Sequence, residues 1–409
     1  MVAKILIVTI KFPFPTIGAC ESDRINGILR FKNLGFDIKV ITKNTRYQPI
    51  EKVQEISKNL GIEMTPVSYK FDTKASKIKK LKEYILRFFK NPLILDGAAS
   101  EFDDPELKDL LETKIKDWQP DIVWFDSTYT WPLYAIAKKY KTPVIARSMN
   151  FEPIHFLEEN GYNLINYIRF IPKFIGELMA VRKSDLLFTI TPREAKTYKK
   201  LGAKNVEILP LRGLPKCLKR KRDIKNKQKL NVFYMGSGYS VFHMKAALEF
   251  IFKKIVPRID KIAPNKFSFH VFGAKFPKEY ESYLKNNVVY RGYVENLEQA
   301  LESMDIALIP SLCGAGMQQK IFEPLARGIP TITSPRGIAG YSFENEKNVL
   351  LASDADEFVK HLIKLQDIHL RKNLSEQALK TSNQLFSQDK LDSIVLSNIN
   401  KLIYASQTH

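Results

Sequence analysis

Short, nearly continuous apolar runs alternate with longer amphipathic ones along the whole chain. In the first half the runs are "KILIVTI" (4–10), "FDIKVIT" (36–42), "DIVWFD" (121–126), "PVIAR" (143–147), "DLLFTI" (185–190) and "VEIL" (206–209). In the second half they are "NVFYM" (231–235), "FSFHVF" (267–272), "VVY" (288–290), "DIALI" (305–309), "PTIT" (330–333) and "NVLL" (348–351). Apolar continuity predicts strands buried on both faces, as in parallel sheets. Segments such as "HMKAALEFIFKKIVPRI" (243–259) predict the intervening helices. The alternation predicts an α/β chain of βαβ units in doubly wound sheets.

The pattern restarts midway. Between "VEIL" and "NVFYM" lies "PLRGLPKCLKRKRDIKNKQKL" (210–230), with proline and glycine first and then a dense basic run. It reads as a linker with an exposed lead-in. The expected organisation is a Rossmann-like domain over 1–209, the linker, a second such domain over 231–385, and a C-terminal helix over 386–409 that packs back toward the first domain. Two such domains face a cleft, and ligands of open α/β sheets bind beyond the carboxyl ends of the strands. The length of 409 residues suits two cores rather than one.

Composition changes the picture in two places. Lys plus Arg number 64 against 44 for Asp plus Glu, a formal net charge of +20. That excess favours an anionic partner, whether phosphorylated small molecule, anionic lipid or nucleic acid, although a lysine-rich composition alone would produce it. Cys20, Cys217 and Cys313 are odd in number and follow no metal-binding spacing, so reduced thiols and a cytoplasmic location are expected. The N-terminal "MVAKILIVTIKFPFP" reads as a buried strand rather than a signal peptide. No apolar run reaches the ~18 residues that a membrane span needs.

The densest chemistry lies in "DIALIPSLCGAGMQQKIFEPLARGIPTIT" (305–333). It reads as strand, loop, helix, strand, with the helix over 317–327 and Gly328 as its C-terminal cap before Pro330. Gly314 and Gly316 permit close backbone approach to a ligand. The first amides of the helix lack internal partners and suit a phosphate. Lys320 adds a full charge, and Glu323, three residues on, lies close to the same face. A carboxylate there can accept from both hydroxyls of a ribose. Taken singly, each part has a plain reading: a tight turn, a solvated lysine, a glutamate facing water. Their combination at a strand end favours a nucleotide site.

The block G-x-G-x-x-x-K-x-x-E-x-x-A-x-G-x-P over 314–330 resembles the donor-binding half of family 4 (group 1) glycosyltransferases, as do "FYMGSGYSVFHMKAALEF", "VYRGYVENLEQAL" and "VLLASDADEFVKHLIKL". The likeness runs in order over about 150 residues. It is looser in the first half, through "KFPFPTIGACESDRINGIL", "PVIARSMNFEP" and "SDLLFTITPREA". The resemblance implies a GT-B fold and retention of anomeric configuration. It implies that Glu323 binds the ribose; that Gly314, Ala315, Gly316 and Lys320 surround the donor phosphates and sugar; and that Gly236 and Ser237, with His243 nearby, approach the diphosphate from the other side. Tyr293 and Val294 would border the base, and Gly18 would close over the phosphates or acceptor. Arg147, Asn150 and Glu152 become cleft candidates, each equally readable as a structural hydrogen-bonding residue, with Asn150, Glu152 and Lys320 as catalytic candidates. Three family features are missing. Ala315 stands where many members carry the first Glu of E-x7-E, Met149 where they carry a His, and no Lys or Arg follows Ser237.

The implied reaction transfers a hexosyl group from a UDP- or GDP-linked sugar to a hydroxyl of a glycan or lipid-linked acceptor, in cell-surface polysaccharide synthesis. No convincing carboxylate pair supports glycosidase chemistry. Fixed donors rather than a metal would stabilise the leaving diphosphate. The acidic "DAD" (354–356) and "FDDPE" (102–106) read as helix starts rather than metal ligands. "KASKIKKLKEYILRFFKNP" (74–92) and "INYIRFIPKFIGELMAVRK" (165–183) interleave basic and apolar residues, which suits an anionic membrane surface or, equally, helices packed on their own sheet. A non-catalytic nucleotide, anion or nucleic-acid binder on the same scaffold, or a nucleotide-sugar epimerase, is the alternative. The basic run 216–230 lacks the interleaved aromatics of a nucleic-acid module.

Overall fold

The computed structural model describes residues 2–16, 18–44, 49–69, 76, 78, 81–82, 85–86, 89, 91–219, 222–285, 287–312 and 317–407. The chain divides into two compact units. One comprises Met1–Arg212 with Asp392–His409, the other Gly213–Leu391.

The first unit carries seven strands: β1 (Lys4–Thr9), β2 (Asp37–Asn44), β3 (Glu63–Ser68), β4 (Ile122–Phe125), β5 (Val144–Arg147), β6 (Leu186–Thr189) and β7 (Val206–Ile208). Their order in the sheet is β3-β2-β1-β4-β5-β6-β7. Every pairing is parallel, with Ile7 opposite Val40 on one side and Trp124 on the other. Ile122, Val123, Trp124 and Phe125 of β4 have no solvent exposure. Each such burial contributes roughly 1.5–3 kcal/mol, which is why a four-residue strand suffices at the centre. Strand β3 has no counterpart among the apolar runs. Pro66 interrupts its sequence "EMTPVS", and a strand that carries proline is tolerated because it lies at the edge of the sheet.

The second unit carries β8 (Leu230–Gly238), β9 (Phe267–Ala274), β10 (Val288–Gly292), β11 (Ile306–Ile309), β12 (Thr331–Thr333) and β13 (Leu350–Leu351). All pairings are again parallel, in the order β10-β9-β8-β11-β12-β13. The helix expected over 243–259 is interrupted. An α-helix over Phe242–Phe250 passes through a π-turn over Ile251–Ile255 into a second α-helix over Val256–Ile262. Pro257, which has no N–H to donate, sits just past that wide turn.

Within residues 210–230 the basic run is exposed over 225–229 as expected, but the first part departs from an exposed linker. Leu211, Leu214 and Cys217 are buried. Leu214–Cys217 form a 3-10 turn, and Lys227 pairs with Asp305 at 2.7 Å. The alternating Leu and Pro of "PLRGLPKCL" supply the apolar contacts that the basic residues obscured. At the other end, a helix over Ile368–Phe386 is followed by one over Gln388–Gln407, which occupies the span expected for the C-terminal helix. Asp392 in the second of them bonds Arg30 of the first unit, with Arg30 Nε donating at 2.6 Å. Among the described residues, no helix is long and apolar enough to cross a membrane.

Candidate functional site

In the second unit the chain runs from β8 outward through β9 to β10, then returns beside β8 as β11 and continues to β12 and β13. The strand order therefore reverses between β8 and β11. That reversal opens a crevice at the carboxyl ends, where such sheets bind ligands. Strand β8 ends in Gly236, Ser237 and Gly238, and β11 runs into Pro310, Ser311 and the helix Gln319–Ala326.

That helix has no side-chain cap at Gln318, so its first amides have no capping partner from that residue. It ends as the sequence suggests. Gly328 has φ of +66°, and Ile329 N and Gly328 N bond the carbonyls of Pro324 and Leu325 at 2.8 and 3.1 Å. A Cβ on Gly328 would lie 2.7 Å from Ser375 Oγ. Lys320 is the second helical residue, and its Nζ stands 6.0 Å from the centroid of Tyr234 on β8. The cation is thus held over the neighbouring strand. Glu323, one turn on, accepts from Arg327 Nη2 at 2.9 Å through Oε1. It is 12% exposed, so it does not face bulk water. Arg327 Nε is buried without a partner. Cys217 Sγ accepts from Gln319 at 3.8 Å, and burial pushes its thiol up to about 12.

Cys313, Gly314, Ala315 and Gly316 lie outside the described residues. The stems of their loop are described. Gln318 Nε2 donates to Ser311 Oγ at 2.8 Å, and Ser311 N donates to Ser334 Oγ at 3.2 Å. The packing demand for glycine falls on Gly273, at φ of +145°, rather than on Gly236, whose close neighbour is the flexible end of Met244. A Cβ on Gly236 would lie 2.6 Å from Met244 Sδ, and the Gly236 carbonyl stands 2.4 Å from where a Cβ on Gly273 would be. Ser237 is exposed, and His243 lies in the first turn of the helix Phe242–Phe250. Tyr293 is 62% exposed just past β10, with Val294 half-buried beside it. Gly236, Ser237, Tyr293, Val294, Lys320 and Glu323 therefore all stand beyond carboxyl ends of one sheet. Reading residue by residue missed the Ser311–Gln318 clasp, Tyr234 and Arg327. Only the i, i+4 spacing of Glu323 and Arg327 signalled any of these.

The remaining candidates lie in the first unit. Gly18 precedes the helix Ala19–Asn33 in extended conformation, with φ of −122°, so its backbone does not require glycine. The position a Cβ would take is 2.8 Å from Glu21 Oε2. Arg147 takes the structural of its two readings. It is fully buried, and its Nη2 donates to Asp23 Oδ1 at 3.1 Å and to the Pro210 carbonyl at 3.0 Å. Arg212 completes the group, with Nη2 donating to Asp23 Oδ2 at 2.7 Å and to Asp126 Oδ1 at 2.9 Å. Both guanidinium charges hold the Asp23 carboxyl well below its usual range, against the desolvation that would raise it. Arg147 is therefore a structural ion-pair member.

Asn150 offers its carbonyl, which accepts from Ser148 Oγ at 2.9 Å and the Tyr198 hydroxyl at 3.2 Å. Glu152 opens the helix Glu152–Asn160 and accepts from the Tyr129 hydroxyl at 2.7 Å. Burial pushes its carboxyl above the usual range. Behind them, Glu177 Oε2 accepts from Thr128 Oγ1 at 2.8 Å, and its Oε1 lies 2.6 Å from the Tyr198 hydroxyl. Enclosure lifts Glu177 to about 8, so it holds a proton at neutral pH. The T-x-x-E of "TPREA" is a capping box. Thr191 Oγ1 accepts from Glu194 N at 3.2 Å, and Glu194 in turn accepts from Phe151 N.

The acidic motifs behave as helix starts. Asp354 Oδ1 accepts from Glu357 N at 2.9 Å, and Asp104 Oδ1 from Glu106 N at 3.1 Å. Among the described residues, no three or more His, Cys, Asp or Glu side chains converge as a metal ligand set.

Residues 230–367 match the family model described as "Glycosyl transferases group 1". No curated protein matches the chain in sequence. Among solved structures, HepE of Anabaena in complex with UDP and glucose is 12% identical with a TM-score of 0.62, over 98% of this chain and 100% of that one. TarM is 12% identical with a TM-score of 0.68, over 98% and 99%. A glycosyltransferase of Rickettsia africae is 13% identical with a TM-score of 0.61, over 98% and 99%. At such identity these likenesses concern the fold. The chain has the GT-B fold, and within it residues 230–367 are the part similar to group 1 glycosyltransferases.

Proposed function

We propose that the chain transfers a hexosyl group, with retention, from a UDP- or GDP-linked sugar to a hydroxyl of a glycan or lipid-linked acceptor. The observation that carries this is the placing of Lys320 and Glu323 on a helix that opens where the strand order reverses. A diphosphate at that helix start meets the amides of the first turn and the Lys320 ammonium. Glu323 takes the ribose hydroxyls, with Arg327 steadying its carboxylate. HepE solved with UDP and glucose, and a mutant of S. aureus TarM solved with α-GlcNAc-glycerol and UDP, lend the UDP class support.

In the transfer, the bond between the anomeric carbon and the diphosphate oxygen breaks, and the leaving oxygen keeps the electron pair. The acceptor oxygen forms its bond on the same face and gives its proton to a phosphate oxygen. The protein stabilises the charge on the leaving group with fixed donors, and this scheme needs no bound metal. Gly314, Ala315 and Gly316 would line the phosphates, Gly236, Ser237 and His243 the opposite wall, and Tyr293 and Val294 the base. Asn150, Glu152 and Gly18 belong to the acceptor side of this reading.

A peripheral place on an anionic membrane surface is part of the proposal. Leu164, Ile165, Ile168 and Ile171 expose apolar side chains on the first turns of the helix Leu164–Lys183. The lysine-rich stretch 74–92 runs into the turn Pro92–Ile94, which packs on that helix. Apolar insertion together with basic charge is the combination that anionic lipid attracts.

The test is a thermal-shift panel of UDP-, GDP-, ADP- and CMP-sugars, followed by turnover of isotope-labelled donor with and without a chelator. Label appearing on an acceptor supports transfer. Interconversion of the free donor would mean an epimerase, and stabilisation without turnover would mean a binder.

A further inference from the structure

Three chain segments meet at the carboxyl end of the first unit's sheet. The strand order there reverses between β1 and β4, which opens a crevice of the ligand-binding kind. Tyr129 lies in the turn Thr128–Leu133 after β4, and Glu152 opens the helix that follows β5. Cys20 lies in the first turn of the helix after β1, near enough for the Glu152 charge to act on its thiol.

The Glu152 carboxylate is held by one oxygen only. Oε2 accepts from the Tyr129 hydroxyl at 2.7 Å. Oε1 has no hydrogen-bond partner among the described residues and is not enclosed by protein, and the residue as a whole is half-buried. Tyr129 is fixed in its turn. Its N–H donates to Ser127 Oγ at 3.2 Å, and Lys173 Nζ stands 5.3 Å from its ring centroid. The basic groups whose charges reach Glu152 are engaged elsewhere. Lys173 pairs with Asp96 at 2.9 Å, and His155 lies 3.3 Å from Glu159. A carboxylate tied at one oxygen and open at the other can accept one further hydrogen bond, in a fixed direction.

We infer that Glu152 accepts a hydrogen bond from a hydroxyl of the acceptor, aimed by Tyr129 as a positioning residue, so that the accepting end of the acceptor is an uncharged saccharide or polyol. The inference rests on the reading that the first unit receives the acceptor. In that reading the attacking hydroxyl passes its proton to a phosphate oxygen, so the hydroxyl on Glu152 is a second one and the acceptor carries both. A phosphate brought against Oε1 would meet like charge. The Tyr129 hydroxyl fixes the carboxylate and favours its ionised form, which is the stronger acceptor.

The test uses the full chain as wild type, Tyr129→Phe and Glu152→Gln. Isotope-labelled donor, whichever UDP- or GDP-sugar stabilises wild type most, is offered to methyl glucoside, methyl galactoside, methyl mannoside and methyl N-acetylglucosaminide, and to glucose 6-phosphate and glycerol 3-phosphate. Wild type labels at least one neutral glycoside in preference to the phosphates. Both variants raise the KM for that glycoside by about 5–50-fold and leave the donor KM unchanged. Both keep the thermal response to UDP, which shows that they fold.

A pH profile separates aiming from mere packing. The groups that face Glu152 are Tyr129, His155, Lys173, Asp96, Glu177 and Cys20, and burial lifts its carboxyl above the usual range. Acceptor kcat/KM in wild type therefore climbs as pH rises through that titration. Tyr129→Phe lacks the hydrogen bond that favours the ionised form, so its climb moves to higher pH. Transfer to the phosphates alone, or to no acceptor while the donor still binds, overturns the inference. So does an unmoved acceptor KM in either variant, or an unmoved profile in Tyr129→Phe. A wild type that no nucleotide-sugar stabilises would instead strike the proposed donor site.

Discussion

Gln318 and Ser311 hold hands across the glycine loop, Nε2 to Oγ at 2.8 Å, so that the last residue before the helix is tied to the residue just past β11. The clasp ties the two ends of the loop to each other. Gln318→Leu removes that bond, worth about 0.5–1.5 kcal/mol. The expected result is a rise of roughly 2–10-fold in KM for the donor with little change in kcat. Steady-state kinetics against donor concentration measure it, and an unchanged KM would remove the clasp from the account.

Lys320 and Glu323 separate by kinetic signature. Lys320→Ala removes a fixed donor to the leaving group, and kcat should fall by about 100–1,000-fold. Glu323→Ala should chiefly weaken nucleotide binding, seen as a smaller thermal shift with the donor. Wild-type behaviour in both variants would refute the donor site.

Glu177 gives a pH prediction. Its folded pKa of about 8 lies above the unfolded value, so the folded state keeps a proton that the unfolded state sheds. Its stabilising contribution is complete below the unfolded pKa and disappears as pH rises through about 8. Glu177→Gln keeps a neutral hydrogen-bonding side chain and should flatten the stability loss between acidic and mildly alkaline pH. Denaturant unfolding across that range, wild type against variant, checks it; parallel curves would contradict the assignment.

Asp23 carries two buried guanidinium groups, and its removal should be costly. Asp23→Asn leaves Arg147 and Arg212 undercompensated, with an expected loss of about 3–5 kcal/mol. Gly27→Ala puts a Cβ 2.0 Å from Arg212 Nη1 and should cost about 1–3 kcal/mol by overpacking. Urea denaturation of each variant measures these losses.

The exposed apolar turns at 164–171 are testable on vesicles. The double variant Ile165→Glu, Ile168→Glu should bind anionic vesicles far less than wild type while melting at a similar temperature. Equal sedimentation with the vesicles would count against the membrane surface.

The sequence by itself determined the layered α/β architecture and the helix that follows β11, on which the proposed donor site is built. A strand buried on both faces must be apolar throughout, so "DIVWFD" and "DIALI" declare themselves without a partner in view. Gly328 likewise announces the C-terminal end of the helix Gln319–Ala326 through local backbone chemistry. What only the tertiary structure decided is which charges are already satisfied. Arg147 reads as a site residue until Asp23, 124 positions away, is seen against it. Strand β3 escaped because an edge position, not its own composition, makes Pro66 acceptable. Partnership across the fold depends on contacts between distant segments, and neither periodicity nor spacing within a segment encodes them.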